Sequence, residues 1–207
     1  MVNTEEYFRL LESIMPALIN NGLKGTTMDS ISASLKMSKR TLYEIFGSKE
    51  EMFKEVHDYF HKKIAENLKN IFMSSGNIME AIIKCFIYNR DIMSKLNPDF
   101  LRDMERVSYK MGGMSESGKK PHFNHFYDVL ELGVKEGYFR EDVNLQVQCR
   151  MLTIQMEALK RTEELFPPDI SLLDVYDSII IGFLRGISSQ KGLEELERFM
   201  PEFSSKL

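Results

Sequence analysis

Apolar residues recur along most of the chain at intervals of three and four, the spacing of amphipathic helices. The alternation of apolar and polar residues that indicates strands is hard to find. Helix start signals occur at Asn3 with Glu6, Thr27, Ser38, Ser48 with Glu51, Asn77 with Glu80, and Ser171 with Asp174. The pattern therefore predicts an all-α fold of about nine or ten helices.

These signals, together with turn-forming residues, set the predicted helix bounds. The first predicted helix begins after Asn3 and runs to about Asn21, and two others begin at Asn77 and Pro98. The remaining predicted helices are Thr27 to Leu35, Ser38 to Phe46, Ser48 to about Met73, Pro121 to about Gly137, about Leu145 to Phe166, Ser171 to about Ser188, and one near residues 193–200. Residues 111–120, MGGMSESGKK, are typical of a loop. Pro16 removes a backbone donor inside the first helix, which predicts a kink or a break there.

The two short helices between residues 27 and 46 each carry one apolar stripe. The positions of these stripes are Met28, Ile31, Leu35, Leu42, Ile45 and Phe46. Only Lys36 and Met37 separate the two helices before Ser38. Because so tight a turn makes two amphipathic helices cross steeply, the segment predicts a helix-turn-helix that presents its second helix outward.

The outward face of the second helix has the chemistry to contact DNA. Arg40 and Glu44 lie opposite the apolar stripe; an arginine chelates guanine O6 and N7, and Glu44 either accepts from cytosine N4 or restrains Arg40. Lys39, Tyr43 and Lys49 are candidates for phosphate contacts, as is the helix N-terminus at Thr27. The predicted DNA-binding set is Thr27, Ser38, Lys39, Arg40, Thr41, Tyr43, Glu44 and Lys49.

A purely structural interpretation of each of these residues remains open. Thr27 and Ser38 cap helices without any DNA, Tyr43 is suited to packing, and Lys39 with Arg40 is suited to a solvated face.

The run TTMDSISASLKMSKRTLYEIFGSKEEMF resembles the DNA-binding signature of the tetracycline-repressor (TetR) family. The matching positions are Ser38, Lys39, Thr41, Leu42, Tyr43, Phe46, Ser48, Lys49, Glu50 and Met52, within about the first quarter of the chain. Two departures are visible. Lys36 stands where the family often has glycine, so the turn requires a strained or left-handed lysine, and Pro16 is unusual in the first helix.

The resemblance implies a DNA-binding domain over residues 1–47 and a helical ligand-binding and dimerisation domain over residues 48–207. It also implies a homodimer in which the last long helix and the preceding one form a four-helix interface. The stretch from Leu172 to Ile187 supports this, because it is apolar nearly all round. The predicted interface residues are Tyr176, Ile179, Ile180, Gly182, Phe183, Gly186 and Ile187.

Methionine and aromatic residues are dense in the middle of the chain, and the chain has 14 methionines in 207 residues. Flexible thioethers adapt to varied apolar ligands, so the resemblance implies a pocket for an apolar or amphipathic small molecule, with plain core packing as the alternative. The candidate pocket residues are Phe86, Tyr88, Met93, Phe100, Met104, Tyr109, Phe123, Phe126, Tyr127, Met151 and Met156.

Cysteines and histidines offer little chemistry in this pattern. Cys85 and Cys149 are too few for a disulfide scaffold and fit buried packing, with a redox pair as the alternative. The pairs His57/His61 and His122/His125 lack the further ligands that a zinc site needs. We therefore expect no metal, no cofactor and no enzymatic activity, since no catalytic motif is present.

The chain has 27 basic and 31 acidic residues, a net charge of −4, which argues against nucleic-acid binding through overall charge. Residues 36–43 nevertheless contain three basic residues and no acidic one. DNA binding then depends on a few placed contacts. No signal peptide or membrane span is visible, so we expect a cytoplasmic protein with no membrane partner.

The sequence thus predicts a DNA-binding transcriptional regulator whose partners are a pseudo-palindromic operator, a second copy of the chain and an unknown effector. A ligand-responsive repressor is the main expectation. The alternatives are a dimeric regulator without a small-molecule ligand and a transcriptional activator.

Overall fold

The computed structural model describes residues 3–110, 121–159 and 162–204. Its helices are α1 (Thr4–Gly25), α2 (Met28–Ser34), α3 (Lys39–Phe46), α4 (Lys49–Ser74), α5 (Ile78–Lys95), α6 (Pro98–Lys110), α7 (Pro121–Lys135), α8 (Leu145–Ala158), α9 (Thr162–Leu165), α10 (Leu172–Ile187) and α11 (Gln190–Ser204). Ten are longer than one turn, and α9 has four residues. Within the described ranges there is no strand beyond one bridge, between Phe139 and Ser188. The all-α prediction is confirmed.

Several predicted caps form as expected. The side chains of Asn3, Thr27, Ser38 and Ser171 each accept a bond from the backbone three residues later. Such caps satisfy backbone N–H groups that have no partner inside the helix.

Two predicted helices differ from the structure. The helix expected from Leu145 to Phe166 ends at Ala158, and the four-residue α9 follows beyond residues that are not described. In the first helix, Pro16 lies inside α1, whereas the residue that leaves helical dihedral angles is Gly22, at φ 64° and ψ 178°. Pro16 is on the exposed side of α1, where water solvates the carbonyl that loses its donor. The 111–120 loop lies outside the described residues.

The chain forms two compact units. The first comprises Met1–Asn67 and Lys95–Met114, and the second comprises Leu68–Ser94 and Ser115–Leu207. The predicted boundary at residues 47 and 48 lies inside the first unit, which also takes in most of α4 and the distant α6. The reason is packing: α6 lies against α1.

The first unit has its own apolar core. Its fully buried side chains include Leu18 of α1, Ile31 of α2, Leu42 of α3, Phe53 of α4 and Phe100 of α6. Each helix therefore buries one stripe in a shared interior, which holds α2 and α3 at a fixed angle.

Polar contacts join α6 to the bend in α1. The backbone N–H of Leu23 donates to the buried carboxylate of Asp103, at 2.6 Å. The side-chain amide of Asn97 donates to the Asn20 carbonyl, at 3.0 Å. A Cβ added at Gly22 would come within 3.0 Å of the Asp99 Cβ, so the bend and the close approach of α6 both favour glycine.

The second unit has a larger core, built from α5, α7, α8, α10 and α11. Tyr176, Ile180, Leu184 and Ile187 of α10 are fully buried in it. Cys149 is buried here too, and burial raises the pKa of its thiol and of the Cys85 thiol to about 11. A thiol with so high a pKa is a poor nucleophile at neutral pH. Among the described residues, no helix is long and apolar enough to cross a membrane.

Candidate nucleic-acid interface

The turn between α2 and α3 is closed by backbone hydrogen bonds around Lys36. Lys36 N–H donates to the Ala33 carbonyl and Met37 N–H donates to the Ser32 carbonyl, at 3.2 and 2.9 Å. This double pattern is the Schellman motif, which requires a left-handed residue at the position of Lys36. Lys36 adopts φ 53°, the one positive φ at a non-glycine residue in the described chain. The left-handed lysine that the missing glycine predicts is therefore present.

Replacing this residue with glycine is expected to stabilise the protein. An L-residue in the left-handed region costs about 1–2 kcal/mol. Glycine avoids this cost, but it loses more backbone entropy on folding, which cancels part of the gain. Lys36→Gly should therefore raise the free energy of unfolding, measured by urea denaturation, by about 0.5–1 kcal/mol. The control is Lys54→Gly, at an exposed position in the second turn of α4, which should lower the free energy of unfolding by a similar amount. A loss of stability in both variants would contradict a strained Lys36.

α3 is anchored on one side and open on the other. Leu42 is fully buried and Phe46 is 5% exposed, while Tyr43 on the flank is 43% exposed. At the N-terminus the Ser38 hydroxyl accepts from Thr41 N–H at 3.0 Å, and the two hydroxyl oxygens lie 2.8 Å apart. The predicted inward and outward faces of α3 are therefore both observed.

Arg40 and Glu44 form an ion pair on the open face. Arg40 Nε donates to Glu44 Oε1 at 2.8 Å, and the side chains are 88% and 59% exposed. An exposed pair of this kind adds little stability. It does orient Arg40 so that the two terminal amino groups remain available, which is the arrangement that a bidentate guanine contact requires.

Lys39 is held by a residue that the sequence interpretation missed. Its ammonium nitrogen lies 2.9 Å and 3.0 Å from the two carboxylate oxygens of Asp29, in the first turn of α2. The bond raises the pKa of Lys39. Asp29 stands near the predicted phosphate site at Thr27, so Lys39 offsets a carboxylate that would otherwise repel phosphate. The sequence shows Asp29 in the first turn of α2, but it does not show that Asp29 pairs with Lys39 across the turn between α2 and α3.

Thr27 caps α2. Its hydroxyl accepts from Ser30 N–H, and its own N–H donates to the Ser30 hydroxyl, both at 3.0 Å. The cap and a phosphate contact are compatible, because Thr27 remains on the exposed surface at the start of the helix.

Lys49 has an intramolecular partner. Its ammonium donates to the carbonyls of Leu23 and Thr26, at 2.9 and 3.2 Å, where α1 ends. A cation is favoured there, because the carbonyls at the C-terminus of a helix carry partial negative charge. Two of the three ammonium donors are thus used inside the unit, and one remains for the predicted phosphate.

Lys49→Met is expected to lower the free energy of unfolding by about 1–3 kcal/mol, because it removes two hydrogen bonds from a half-buried charge. Lys54→Met, on the exposed side of the same helix, should leave stability within about 0.5 kcal/mol. Operator affinity measured against salt separates the two roles: a slope reduced by about one unit at unchanged stability would assign Lys49 to phosphate alone.

Comparison with known proteins bears on this same segment. The model of the family described as bacterial regulatory proteins, tetR family, matches residues 10–56, which span α2, α3 and the adjoining parts of α1 and α4. The predicted resemblance of this segment to the TetR family is therefore confirmed. The protein is a DNA-binding transcriptional regulator.

Relatives extend the likeness beyond the helix-turn-helix. The transcriptional repressor KstR2 of Mycobacterium tuberculosis strain CDC 1551 / Oshkosh is 26% identical over 152 residues, which cover 69% of this chain and 74% of the repressor. The structure of the ketosteroid transcriptional regulator KstR2 of Mycobacterium tuberculosis has a TM-score of 0.60 at 22% identity, and the match covers 92% of this chain and 98% of that chain. A regulator from Saccharomonospora viridis in complex with choline has a TM-score of 0.61 at 16% identity, covering 91% and 100%. The two solved structures show the same fold.

The candidate pocket residues do not all lie in one unit of the protein. Phe100 and Met104 are buried in the core of the first unit. Those that pack around the core of the second unit, only partly buried, are Phe86, Met93, Phe126, Tyr127 and Met156. Tyr88 is half-buried and Met151 is 49% exposed. The side chains of Tyr109 and Phe123 lie outside the described part.

A surface pocket of about 430 Å³ lies between the end of α7 and the start of α8. Of the candidate residues only Tyr127 lines it, beside charged groups such as Glu131, Lys135 and Arg140. This polar, open pocket differs from the apolar one that the sequence predicts. Within the described ranges, no three metal-binding side chains come together; the His57 and His61 rings lie 4.5 Å apart.

Proposed function

We propose that this protein is a repressor that binds a pseudo-palindromic operator as a homodimer and releases it when a small molecule binds the second unit. The observation that carries the DNA-binding part is the fixed, outward presentation of Arg40 and Glu44 on α3, with Leu42 and Phe46 buried behind them. The N-terminal half of a recognition helix is where base contacts are made. A regulator of this kind acts on the chromosome, which places it in the cytoplasm.

Exposed apolar side chains on α8 support the homodimer. Val147, Met151 and Ile154 are 50%, 49% and 62% exposed, and their spacing puts them on one stripe. Contiguous apolar surface of this kind marks a site of association.

Beside this stripe, two glycines of α10 leave room for a helix of the partner subunit to approach closely. α8 and α10 pack against each other, and a Cβ added at Gly182 or Gly186 would meet nothing within 4 Å. Of the predicted interface residues, Tyr176, Ile180, Phe183 and Ile187 are buried in the protomer's own core. The surface left for a partner is Ile179, Gly182 and Gly186 together with the stripe on α8. Two-fold pairing there gives the dimer two copies of α3, which fit a pseudo-palindromic site.

An effector is supported by the character of the second core and by the relatives. Phe86, Met93, Phe126 and Met156 are only partly buried around that core, and methionine adapts to irregular apolar ligands. Proteins that share this fold include a ketosteroid transcriptional regulator and a regulator in complex with choline. The effector must bind the state that does not fit DNA more tightly than the state that does. α4 belongs partly to each unit and is the connection through which the two states differ.

Binding to the organism's own DNA tests the proposal directly. Fragments pulled down by the purified protein should converge on a few sites, and each should shift in a gel at nanomolar protein against excess non-specific DNA. Binding that shows no sequence preference at low salt would contradict an operator-binding function.

A further inference from the structure

A charged pair with little exposure to solvent joins α5 to α10 in the second unit. Arg90 of α5 is 2% exposed, and Asp177 of α10 is 14% exposed at its side chain. Arg90 Nε donates to both Asp177 oxygens, at 2.7 and 2.9 Å. Phe86 and Met93 lie one turn to either side of Arg90 on α5, and both pack on the apolar cluster.

This geometry leaves most of the guanidinium unused. In the usual bidentate pair, two different nitrogens each donate to one carboxylate oxygen. Here one N–H serves both oxygens, and the terminal nitrogens Nη1 and Nη2 make no hydrogen bond within the part of the chain that the structure describes. Buried donors without acceptors are costly, and a native protein normally satisfies them with a protein group, a water or a ligand.

Fold stability alone accounts poorly for the pair. Taking two charges out of water offsets much of their attraction, so two apolar side chains would join α5 to α10 at least as well. An arginine kept in an apolar interior, with its terminal amino groups unoccupied, is instead the arrangement of a binding subsite.

We propose that Arg90 is the polar subsite of the effector pocket and donates its terminal N–H groups to an uncharged oxygen of an apolar effector, such as a carbonyl or hydroxyl oxygen. The inference rests on the proposed effector-binding function of the second unit. The apolar body of the effector then lies against a row of three aromatic rings, Phe86, Phe126 and Phe183. The ring centroids of Phe86 and Phe126 are 6.1 Å apart, and those of Phe126 and Phe183 are 6.2 Å apart.

The charges around Arg90 favour an uncharged acceptor over a carboxylate or phosphate. Asp177 already balances the guanidinium, and Asp174, which caps the start of α10, adds a second negative charge nearby. The Tyr176 hydroxyl donates to the Phe86 carbonyl, so it is not available to an anion. A further negative charge would enter a site that is already net acidic.

Two probes with ten carbon atoms each test this chemistry: 2-decanone, titrated into the protein below its solubility limit, and decanoate, titrated below its critical micelle concentration. We expect 2-decanone to bind at least about tenfold more tightly than decanoate, since only the ketone satisfies the donors without adding charge. In Arg90→Met/Asp177→Leu the affinity for 2-decanone should fall about fivefold or more, because the N–H donors to its oxygen are lost. The matched control is Arg140→Met/Asp142→Leu, an exposed pair in the same unit, which should keep the wild-type preference.

A cooperative melt confirms that each variant folds. If the double variant fails to fold, Arg90→Lys keeps the charge beside Asp177 but removes the planar pair of amino groups, and should weaken 2-decanone about fivefold or more. Decanoate binding as tightly as the ketone, an affinity for 2-decanone that survives the loss of Arg90, or binding of neither probe would overturn the inference. Operator affinity measured on the same samples is independent of these outcomes: its absence in the wild-type protein would count against the proposed repressor instead.

Discussion

Ile154→Asp should convert the proposed dimer to monomers and weaken operator binding at least about 100-fold. Ile154 is 62% exposed at the C-terminal end of the α8 stripe, and the proposed two-fold pairing brings the two copies of that stripe together. A carboxylate buried without a partner costs about 3–5 kcal/mol, and each dimer would contain two of them. Sedimentation velocity measures the assembly, and fluorescence anisotropy with labelled operator measures the affinity.

Met73→Asp is the matched control, because Met73 is 76% exposed at the end of α4, in the same unit but away from the stripe. It should leave both the dimer and operator affinity unchanged. A dimer that persists in Ile154→Asp with full operator affinity would place the subunit interface elsewhere.

Arg40→Ala should reduce operator affinity by about 1–3 kcal/mol and relax the preference for one base pair in each half-site. The side chain is 88% exposed, and its only hydrogen bond in the described structure is to Glu44, so folding stability should hardly change. The measurement is competition binding against operators that carry each base in turn at every position.

Glu44→Ala separates the two roles that the sequence leaves open for Glu44. If Glu44 only orients Arg40, the variant should lose discrimination at the base pair read by Arg40 and bind non-specific DNA more tightly, since a carboxylate near phosphates is removed. If it accepts from cytosine N4, a second base pair loses its preference. A uniform loss of affinity across all sequences in Arg40→Ala would show that Arg40 contacts phosphate only.

The helix-turn-helix was predictable because its determinants are local. The stripes on α2 and α3, the cap at Ser38 and the short turn lie within 20 residues of each other, so periodicity and capping rules fix them together. The left-handed Lys36 followed from the same logic, since the Schellman turn demands that conformation whatever residue occupies it.

What the sequence did not disclose depends on contacts between distant segments. Lys49 meets carbonyls 23 and 26 residues away, and Asp103 meets Leu23 across 80 residues. Neither partner is marked by composition or spacing. The same limit explains Phe100 and Met104, whose aromatic and thioether character suggested a pocket but which complete the core around α1. Because α10 is apolar on nearly all sides, its sequence does not show which side packs in the protomer's own core.

Selection of bound duplexes from a random pool tests the central claim most directly, because it reports sequence preference, symmetry and site size together. The proposed homodimer should select two inverted half-sites whose centres lie about one helical turn of DNA or a multiple apart. Each half-site should contain one position at which guanine is preferred by the wild-type protein but not by Arg40→Ala. A single non-repeated site, or a pool that remains random at low salt, would contradict it.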